Sequence, residues 1–251
     1  MKIVVIGDIH GKPIWKQLLE PHIKSADVII FIGDYVDAWK CDNHTMITNL
    51  ENIIQFKKDN MEKVELLLGN HDIQYMYYPK YRCSGFRNEI AFTLGELFYS
   101  NKDLFKVAYG YTNDKNQYLF THAGISQVYF YWLMDQIAGK DDFDRMEFEA
   151  YLGKPSDTQY ETFADYLNAI AQTHYRDWLF AVSPVRGGHF EPYGGIVWAD
   201  KTETQYDMLE GYHQVVGHTP VDKITTITNG FDPITYIDCL DSNPEVYILE
   251  V

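Results

Sequence analysis

The sequence predicts an α/β fold with two β-sheets, in which polar loops rich in glycine follow the strands. Early in the chain, short runs of β-branched and other apolar residues alternate with helical patterns; these runs are 3–6, 28–32 and 64–68. Such runs are typical of strands buried on both faces of a sheet. Four further short strand-like runs close the sequence, at 213–216, 223–228, 235–239 and 245–251. We expect the second sheet to come from this part.

The order of the early elements predicts parallel strands. Residues 13–23 and 44–56 each carry apolar side chains at helical spacing, and each segment lies between two of the strand-like runs. A strand, a helix and a second strand within about 30 residues form a crossover unit with parallel strands. Ligands of open parallel sheets bind beyond the carboxyl ends of the strands. We therefore expect the polar loops that follow the runs 3–6, 28–32 and 64–68 to meet at one edge of the first sheet.

The rest of the chain predicts helices, a loop and a simple tail sheet. Apolar residues at helical spacing recur at 86–98, 126–137 and 160–180. Residues 118–121 predict a strand, and residues 139–158 predict an acidic loop. Residues 183–195 contain four glycines and two prolines, which favour an ordered loop or lid. The four tail runs predict a second sheet of meander type. We interpret residues 1–251 as one domain with insertions around 72–117 and 139–200.

Composition excludes several classes of protein. The formal net charge of −15 argues against nucleic-acid binding, which requires a basic surface. No apolar run approaches the length of a membrane span. The three cysteines form no Cys-x-x-Cys pair and are odd in number, so we expect reduced thiols and a cytoplasmic location.

The polar loops contain a set of candidate metal ligands. Asp8 and His10 flank one residue at a strand end, so both can reach one ion from a tight turn. Asp34 could bridge two ions through its two carboxylate oxygens. A neutral amide oxygen and two imidazoles complete the set, from Asn70, His122 and His218. Three oxygen and three nitrogen ligands suit Mn, Fe or Zn better than an all-oxygen magnesium site.

A proton donor stands beside these ligands in the sequence. His71 directly follows Asn70 and could protonate a leaving alkoxide as a general acid. Asp37, three residues after Asp34, could hold that imidazole and raise its pKa. A lone Asp or His beside glycine is usually a turn residue. Eight such residues of matching type at strand ends are much harder to explain as turns.

The loops resemble the signature of the calcineurin-like metallophosphoesterases. The family pattern reads GDxHG, GDxVDRG and GNHE, followed by single histidines, one of them in a Gly-His-Thr turn. This chain has Gly7-Asp8-Ile9-His10-Gly11, Gly33-Asp34-Tyr35-Val36-Asp37, Gly69-Asn70-His71-Asp72, His122 and Gly217-His218-Thr219 in the same order. It is most similar to the branch of serine/threonine phosphoprotein phosphatases and bacterial diadenosine tetraphosphatases.

The resemblance implies a fold, two ions and an acid pair. The fold would be two mixed β-sheets packed as a sandwich flanked by helices. The first ion would bind Asp8, His10 and Asp34, and the second would bind Asp34, Asn70, His122 and His218. His71 and Asp37 would form the acid pair.

The chain departs from the family pattern at three places, of which the first removes a phosphate-binding arginine. Ala38 and Trp39 replace the Arg-Gly that follows the second loop, Asp72 replaces a glutamate, and Pro220 stands where broader phosphodiesterase relatives have a histidine. The last change favours the phosphatase-like branch. A phosphate dianion still requires a bidentate arginine. Arg186, within Val185-Arg186-Gly187-Gly188, is our first candidate, and Arg82 and Arg87 are second candidates.

We therefore expect a phosphatase with two divalent metal ions, Mn²⁺ first and Fe or Zn as alternatives. A metal-bound hydroxide would attack a phosphomonoester or phosphoprotein in line. The aromatic-rich insertions leave a dinucleoside polyphosphate or other nucleotide as a second substrate class. An inert binding scaffold is the alternative of a different kind, although every expected ligand is present.

Overall fold

The computed structural model describes residues 1–38, 40–138, 162–191, 193–228 and 232–251. Trp39 and the acidic loop expected at 139–158 lie outside the described residues. The chain divides into two compact units. Unit 1 comprises 1–106, 220–225 and 236–251, and unit 2 comprises 107–219 and 226–235. One domain over 1–251, with insertions around 72–117 and 139–200, stays a prediction.

Unit 1 is built on a mixed five-stranded sheet. Its strands are β1 (Lys2–Ile6), β2 (Val28–Phe31), β3 (Val64–Leu67), β4 (Phe105–Lys106) and β10 (Tyr247–Glu250). They lie in the order β10-β1-β2-β3-β4. Strands β1 to β4 are parallel, with Ile3 opposite Val28 and Ile29 opposite Val64. The parallel arrangement predicted from the early runs is confirmed for β1, β2 and β3.

The described part of unit 1 also contains four α-helices. They are α1 (Trp15–Leu19), α2 (Asn43–Asp59), α3 (Asn70–Met76) and α4 (Ala91–Ser100), with 3-10 turns at Asn88–Ile90 and Lys102–Leu104. Every residue of β2 is buried, as the continuous apolar run predicts. Asp42 caps α2 by accepting a hydrogen bond from Thr45 N at 2.9 Å. The short helix α3 and strand β4 were not predicted from periodicity.

A second mixed sheet of five strands lies in unit 2, apart from its terminal residues Thr225 and Tyr236, which belong to unit 1. The strands are β5 (Ala108–Thr112), β6 (Gln117–Thr121), β7 (Tyr212–Val216), β8 (Thr225–Thr228) and β9 (Pro233–Tyr236), in the order β5-β6-β7-β9-β8. Strand β5 is antiparallel to β6, whereas β6 and β7 are parallel. The α/β fold class with two mixed sheets is confirmed.

The prediction of a tail meander is wrong. The last run forms β10, which pairs antiparallel with β1 in the first sheet, Lys2 opposite Glu250. Strand β7 pairs with β6, an earlier strand, rather than with its sequence neighbour β8. Local periodicity identifies strands but does not encode which strand each one pairs with.

One of the two helices predicted in unit 2 agrees with the structure, and the other is divided. The helices of this unit are α5 (Gln127–Ala138), α6 (Phe163–Gln172), α7 (Arg176–Leu179) and α8 (Lys201–Thr204), with a 3-10 turn at Pro184–Arg186. The single helix expected over 160–180 is interrupted at Thr173, whose ψ of 177° is extended. Its hydroxyl accepts from Tyr175 N at 3.1 Å and thus competes with the helical hydrogen bonds.

The remaining predicted segments agree with the structure in part. Residues 183–195 form the predicted ordered loop, apart from the 3-10 turn and Pro192, which lies outside the described residues. No helix in the described ranges is both long and apolar enough to span a bilayer.

The first three polar loops meet through backbone contact in unit 1. Gly33 has a φ of +111°, and a Cβ at this residue would lie 2.5 Å from the Gly69 nitrogen. His10 N donates to Asp34 O at 2.7 Å and Gly11 N donates to Tyr35 O at 2.8 Å. The loops that follow β1, β2 and β3 are therefore packed against one another, as the parallel strands predict.

Gly33→Ala should lower the free energy of unfolding by about 2–5 kcal/mol. The alanine would meet both a left-handed backbone penalty and a backbone clash with Gly69. Urea unfolding followed by circular dichroism measures the change. Gly187→Ala is the matched control, because Gly187 also has a positive φ of +84° but no atom within 4 Å of a built Cβ. It should cost only about 1–2 kcal/mol; equal losses in both variants would contradict the clash.

Candidate metal centre and acid pair

The first candidate ligand group lies at the carboxyl ends of adjacent strands. Asp8 follows β1 by two residues and Asp34 follows β2 by three. Ligand atoms of Asp8, His10 and Asp34 all lie within 4.8 Å of one another, and both carboxylates are buried. A pair of buried carboxylates with an imidazole is a donor set that fits a divalent cation, which would offset their mutual repulsion.

The loop backbone is strained at the candidate residues. Among the described residues, the non-glycine positions with positive φ are His10 (42°), Asp34 (50°), Asp37 (65°), Tyr81 (57°) and His218 (63°). All of these except Tyr81 were predicted as site residues. Left-handed backbone at non-glycine residues is rare and concentrates at functional sites. The loops thus adopt conformations that direct these side chains rather than the most relaxed ones.

The ring of His10 is oriented as a metal ligand requires. Its Nδ1 contacts the carbonyl oxygen of Val36 at 2.9 Å, so Nδ1 carries the proton. The other nitrogen, Nε2, lies 3.7 Å from Asp34 Oδ2. Burial lowers the pKa of His10 even though Asp34 opposes that shift. The neutral ring with its lone pair on Nε2 is the form that binds metals.

Asp72 joins the second and third loops. Its Oδ2 accepts from Asp34 N and Gly69 N at 2.8 Å, and its Oδ1 accepts from Tyr35 N at 2.9 Å. Burial and the nearby Asp34 raise the pKa of Asp72, while the N–H groups of Gly69 and Tyr35 oppose that shift. The role of this residue was missed in the sequence, where Asp72 counted only as a departure from glutamate. An acidic residue three positions after a glycine N-cap was the available signal.

The third loop also holds Asp34 and presents Asn70. His71 N, in the first turn of α3, donates to Asp34 Oδ1 at 2.9 Å. Asn70 is buried, and its Nδ2 donates to Cys83 Sγ at 3.8 Å. The amide oxygen is therefore the atom of Asn70 that could bind a cation.

His71 and Asp37 form the predicted pair. His71 Nδ1 lies 3.0 Å from Asp37 Oδ2, and the Asp37 carboxylate is fully buried. Burial disfavours the charged ring, but Asp34 and the hydrogen bond to Asp37 outweigh it and raise the pKa of His71 to about 12. Because a carboxylate oxygen can only accept, Nδ1 of His71 donates to Asp37.

Asp37 is held by two further residues that the sequence did not reveal. Gln74 Nε2 donates to Asp37 Oδ2, and Tyr75 Oη donates to Asp37 Oδ1 at 2.5 Å. Both lie on α3, a helix that the sequence pattern does not predict. No sequence signal distinguished them from ordinary helix residues.

The second-choice arginines serve different local purposes. Arg82 is exposed, and its guanidinium lies 4.4 Å above the ring of Phe86. The guanidinium of Arg87 donates to Asn43 Oδ1 at 2.6 Å and to the carbonyl oxygen of Ala38. Arg87 therefore contacts the backbone of Ala38, the residue that replaces the arginine of the family pattern.

The candidate residues of unit 2 lie at the ends of parallel strands. His122 directly follows β6, and His218 follows β7 by two residues. Their ring centroids are 5.1 Å apart with an interplanar angle of 65°. Both are buried, and Trp198 packs edge-on against His218 at 5.7 Å. The two imidazoles that the sequence predicts as ligands are thus neighbours in this unit.

Arg186, the first-choice arginine, is fixed beside the Gly-His-Thr turn. Its Nη2 donates to Thr219 Oγ1 at 2.8 Å, and its Nε lies 2.7 Å from Asp200 Oδ2. Thr219 directly follows His218. An ion pair and a hydrogen bond restrain the guanidinium close to a candidate ligand.

Comparison with protein families identifies the class. The model of the calcineurin-like phosphoesterases matches residues 1–222. The chain therefore belongs to the calcineurin-like phosphoesterase family, and the resemblance inferred from the motifs is confirmed. No curated protein sequence matches this chain. Family membership supports a phosphoesterase hydrolase.

Solved structures with the same fold include phosphatases. The cold-active protein-tyrosine phosphatase of a psychrophilic Shewanella species is 17% identical, with a TM-score of 0.52 over 99% of this chain and 75% of that one. A protein serine/threonine phosphatase from Saccharomyces cerevisiae is 15% identical, with a TM-score of 0.50 over 98% and 70%. At such identities the likeness concerns the fold.

Asp72→Asn should lower the free energy of unfolding by about 2 kcal/mol. The asparagine amide has only one oxygen, which can keep the hydrogen bonds from Asp34 N and Gly69 N. Its NH₂ group then faces the buried N–H of Tyr35, so that N–H loses its acceptor. Chemical unfolding measures the loss. Asp42→Asn is the control, because Asn and Asp cap helices equally well. A change within 0.5 kcal/mol in both variants, roughly the level of an ordinary surface substitution, would contradict the role of Asp72.

Proposed function

We propose that this protein is a dimetal-dependent phosphatase of phosphomonoesters or phosphoproteins. The observation that carries the proposal is the cluster of Asp8, His10 and Asp34 together with the His71–Asp37 pair in the same unit. A cation site can bind a phosphoryl group, and an imidazole paired with a buried carboxylate beside it can protonate the leaving oxygen. The phosphatases among the solved structures of this fold support a phosphoprotein as the first substrate class.

The proposed ligands follow the family pattern. Asp8, His10 and Asp34 would hold the first ion, and Asp34, Asn70, His122 and His218 the second. The tautomer of His10 supports the first assignment. The orientation of the buried Asn70 amide, whose Nδ2 donates to Cys83, supports the second. Two divalent ions, when bound, supply Lewis acidity to the phosphoryl oxygens and acidify a water molecule. Mn²⁺ is our first choice, with Fe or Zn as alternatives.

The protein contributes a proton and a phosphate anchor. His71 would donate its Nε2 proton to the leaving oxygen, while Nδ1 stays bound to Asp37. Arg186, restrained by Asp200 and Thr219, would bind the phosphoryl oxygens. Arg87 and Arg82 are weaker candidates, because one binds Ala38 O and Asn43 and the other is stacked on Phe86.

A cytoplasmic location is part of this proposal. It is supported by the three cysteines, Cys41, Cys83 and Cys239, which are all free thiols in the structure.

A substrate panel tests the function. The purified protein, loaded with Mn²⁺, is assayed on phosphotyrosine and phosphoserine peptides, dinucleoside polyphosphates, mononucleotides and a phosphodiester. We expect the highest kcat/KM on a phosphopeptide and loss of turnover after chelation. Preference for dinucleoside polyphosphates would move the substrate to the nucleotide class. Absence of metal-dependent phosphate release from every compound would favour an inert scaffold and contradict the proposal.

Asp8→Asn should reduce bound metal and turnover together. The amide keeps the shape of the side chain but removes one charge from the ligand group, so we expect a loss of activity of at least about 100-fold. Metal content by mass spectrometry and kcat with p-nitrophenyl phosphate measure the two effects. Asp241→Asn is the control, because that carboxylate is largely exposed and pairs with Lys12. Full metal content in Asp8→Asn would refute the ligand assignment.

His71→Asn should leave metal content intact and slow esters with poor leaving groups most. A general acid contributes about 10²–10⁴-fold to rate, and a nitrophenolate leaves with little need of a proton. We expect a loss of about 100-fold with phenyl phosphate and a much smaller loss with p-nitrophenyl phosphate. His44→Asn, at an exposed histidine, is the control. Equal losses on both esters would argue against an acid role.

A further inference from the structure

Two hydrogen-bonded connections run from residues 83–87 to the Asp37 carboxylate. They pass through the side chains of Gln74 and Tyr75, which lie on α3. Both side chains and Asp37 are buried, with exposed fractions of 0%, 1% and 3%. Because the groups are removed from solvent, the protein itself determines the orientation of this carboxylate.

The direction of the connection through Tyr75 is unambiguous. Arg87 N donates to Tyr75 Oη at 2.8 Å, and a backbone N–H can only donate. The hydroxyl proton is therefore available for Asp37 Oδ1, 2.5 Å away. Stacking of the Tyr75 ring on Phe86, with centroids 5.0 Å apart and planes inclined by 14°, restrains the ring.

The orientation of the Gln74 amide follows from the same reasoning. Cys83 N donates to Gln74 Oε1 at 3.1 Å, which places the oxygen of the amide towards residue 83. The NH₂ group then faces Asp37 Oδ2, which can only accept. A flipped amide would bring two donors together at Cys83 and two acceptors together at Asp37.

The segment that begins these connections is attached to the loop that carries Asp37. The guanidinium of Arg87 donates to Ala38 O and to Asn43 Oδ1. Ala38 is the residue at which this chain departs from the arginine of the family pattern. Residues 83–87 are therefore hydrogen-bonded to the loop that carries Asp37 through Arg87, and the Asp37 carboxylate itself accepts hydrogen bonds from Gln74 and Tyr75.

We propose that Gln74 and Tyr75 are positioning residues that hold Asp37 so that its Oδ2 meets Nδ1 of His71. Oδ1 bonds to Tyr75, while Oδ2 accepts from both Gln74 and His71. The carboxylate cannot rotate about its Cβ–Cγ bond without losing these donors. The ring of His71 is thereby aimed, with Nε2 directed away from Asp37. This inference rests on the proposed function of His71 as the general acid.

Tyr75→Phe and Gln74→Met test the proposal. Each removes one donor to Asp37 and keeps the approximate side-chain volume, and each should lower kcat with phenyl phosphate by about 10-fold. The loss with p-nitrophenyl phosphate should be much smaller, and metal content should not change. Tyr78→Phe is the matched control, because Tyr78 also stacks on Phe86, at 5.5 Å, but is largely exposed. Equal slowing of both esters by Tyr75→Phe and Gln74→Met would overturn the proposal.

A double-mutant cycle separates positioning from general stability. If Tyr75 acts through His71, Tyr75→Phe should have no further effect on kcat in the His71→Asn background. If the fold-losses in kcat of Tyr75→Phe and His71→Asn multiply in the double variant, Tyr75 does not act through His71. Thermal unfolding of each variant checks that the protein is folded. If Tyr75→Phe is unfolded, the same cycle is measured with Gln74→Met.

A spectroscopic readout distinguishes failure of this inference from failure of the proposed function. In ¹⁵N-histidine-labelled protein, the Nδ1 proton of His71 should give a slowly exchanging signal, assigned by its absence in His71→Asn. We expect faster exchange in Tyr75→Phe and Gln74→Met but not in Tyr78→Phe. Unchanged exchange would overturn the positioning role whatever the activity. If exchange is faster in Tyr75→Phe and Gln74→Met but the wild-type protein has no phosphatase activity, only the proposed function is contradicted, and the positioning role stands.

Discussion

The hydrogen bonds of the buried Asp72 carboxylate are the interaction on which the candidate site of unit 1 depends. Removing a carboxylate from water costs several kcal/mol unless hydrogen bonds replace its hydration. Here three backbone N–H groups do so, from two loops that are far apart in sequence. Because two of them belong to Asp34 and Tyr35, the same contact determines the path of the loop that presents Asp34.

The other loop contacts follow from this attachment. With the second and third loops joined, His71 N reaches Asp34 Oδ1, and the backbone of Gly33 lies against Gly69. Left-handed conformations at His10, Asp34 and Asp37 then become tolerable, since the surrounding hydrogen bonds outweigh the local strain. Interaction between loops and strain within them are therefore two aspects of one arrangement, which presents ionisable side chains in fixed directions.

Much of this arrangement could be predicted from the sequence, because it depends on local pattern. The β-branched runs at 3–6, 28–32 and 64–68 and the intervening helices fix parallel strands, and parallel strands bring the loops to one edge. Gln74 and Tyr75 could not be recognised in this way. Their importance comes from hydrogen bonds to Asp37, Cys83 and Arg87, which exist only once α3 and the following segment have folded. The place of β10 was also hidden, since alternation of side chains does not specify a partner strand.

The pairing of β10 with β1 has a consequence for biosynthesis. The two strands are adjacent in the sheet but are separated by nearly the whole chain. On the ribosome, β1 emerges before β10, so the edge of β1 that pairs with β10 lacks this partner until residues 247–250 have been made. Closing so long a loop is slow, and an open edge of apolar strand is a site of misassociation between nascent chains. The first sheet can be completed only after translation has passed residue 250, so we expect this unit to acquire its full stability late, whereas β5, β6 and their hairpin can form early.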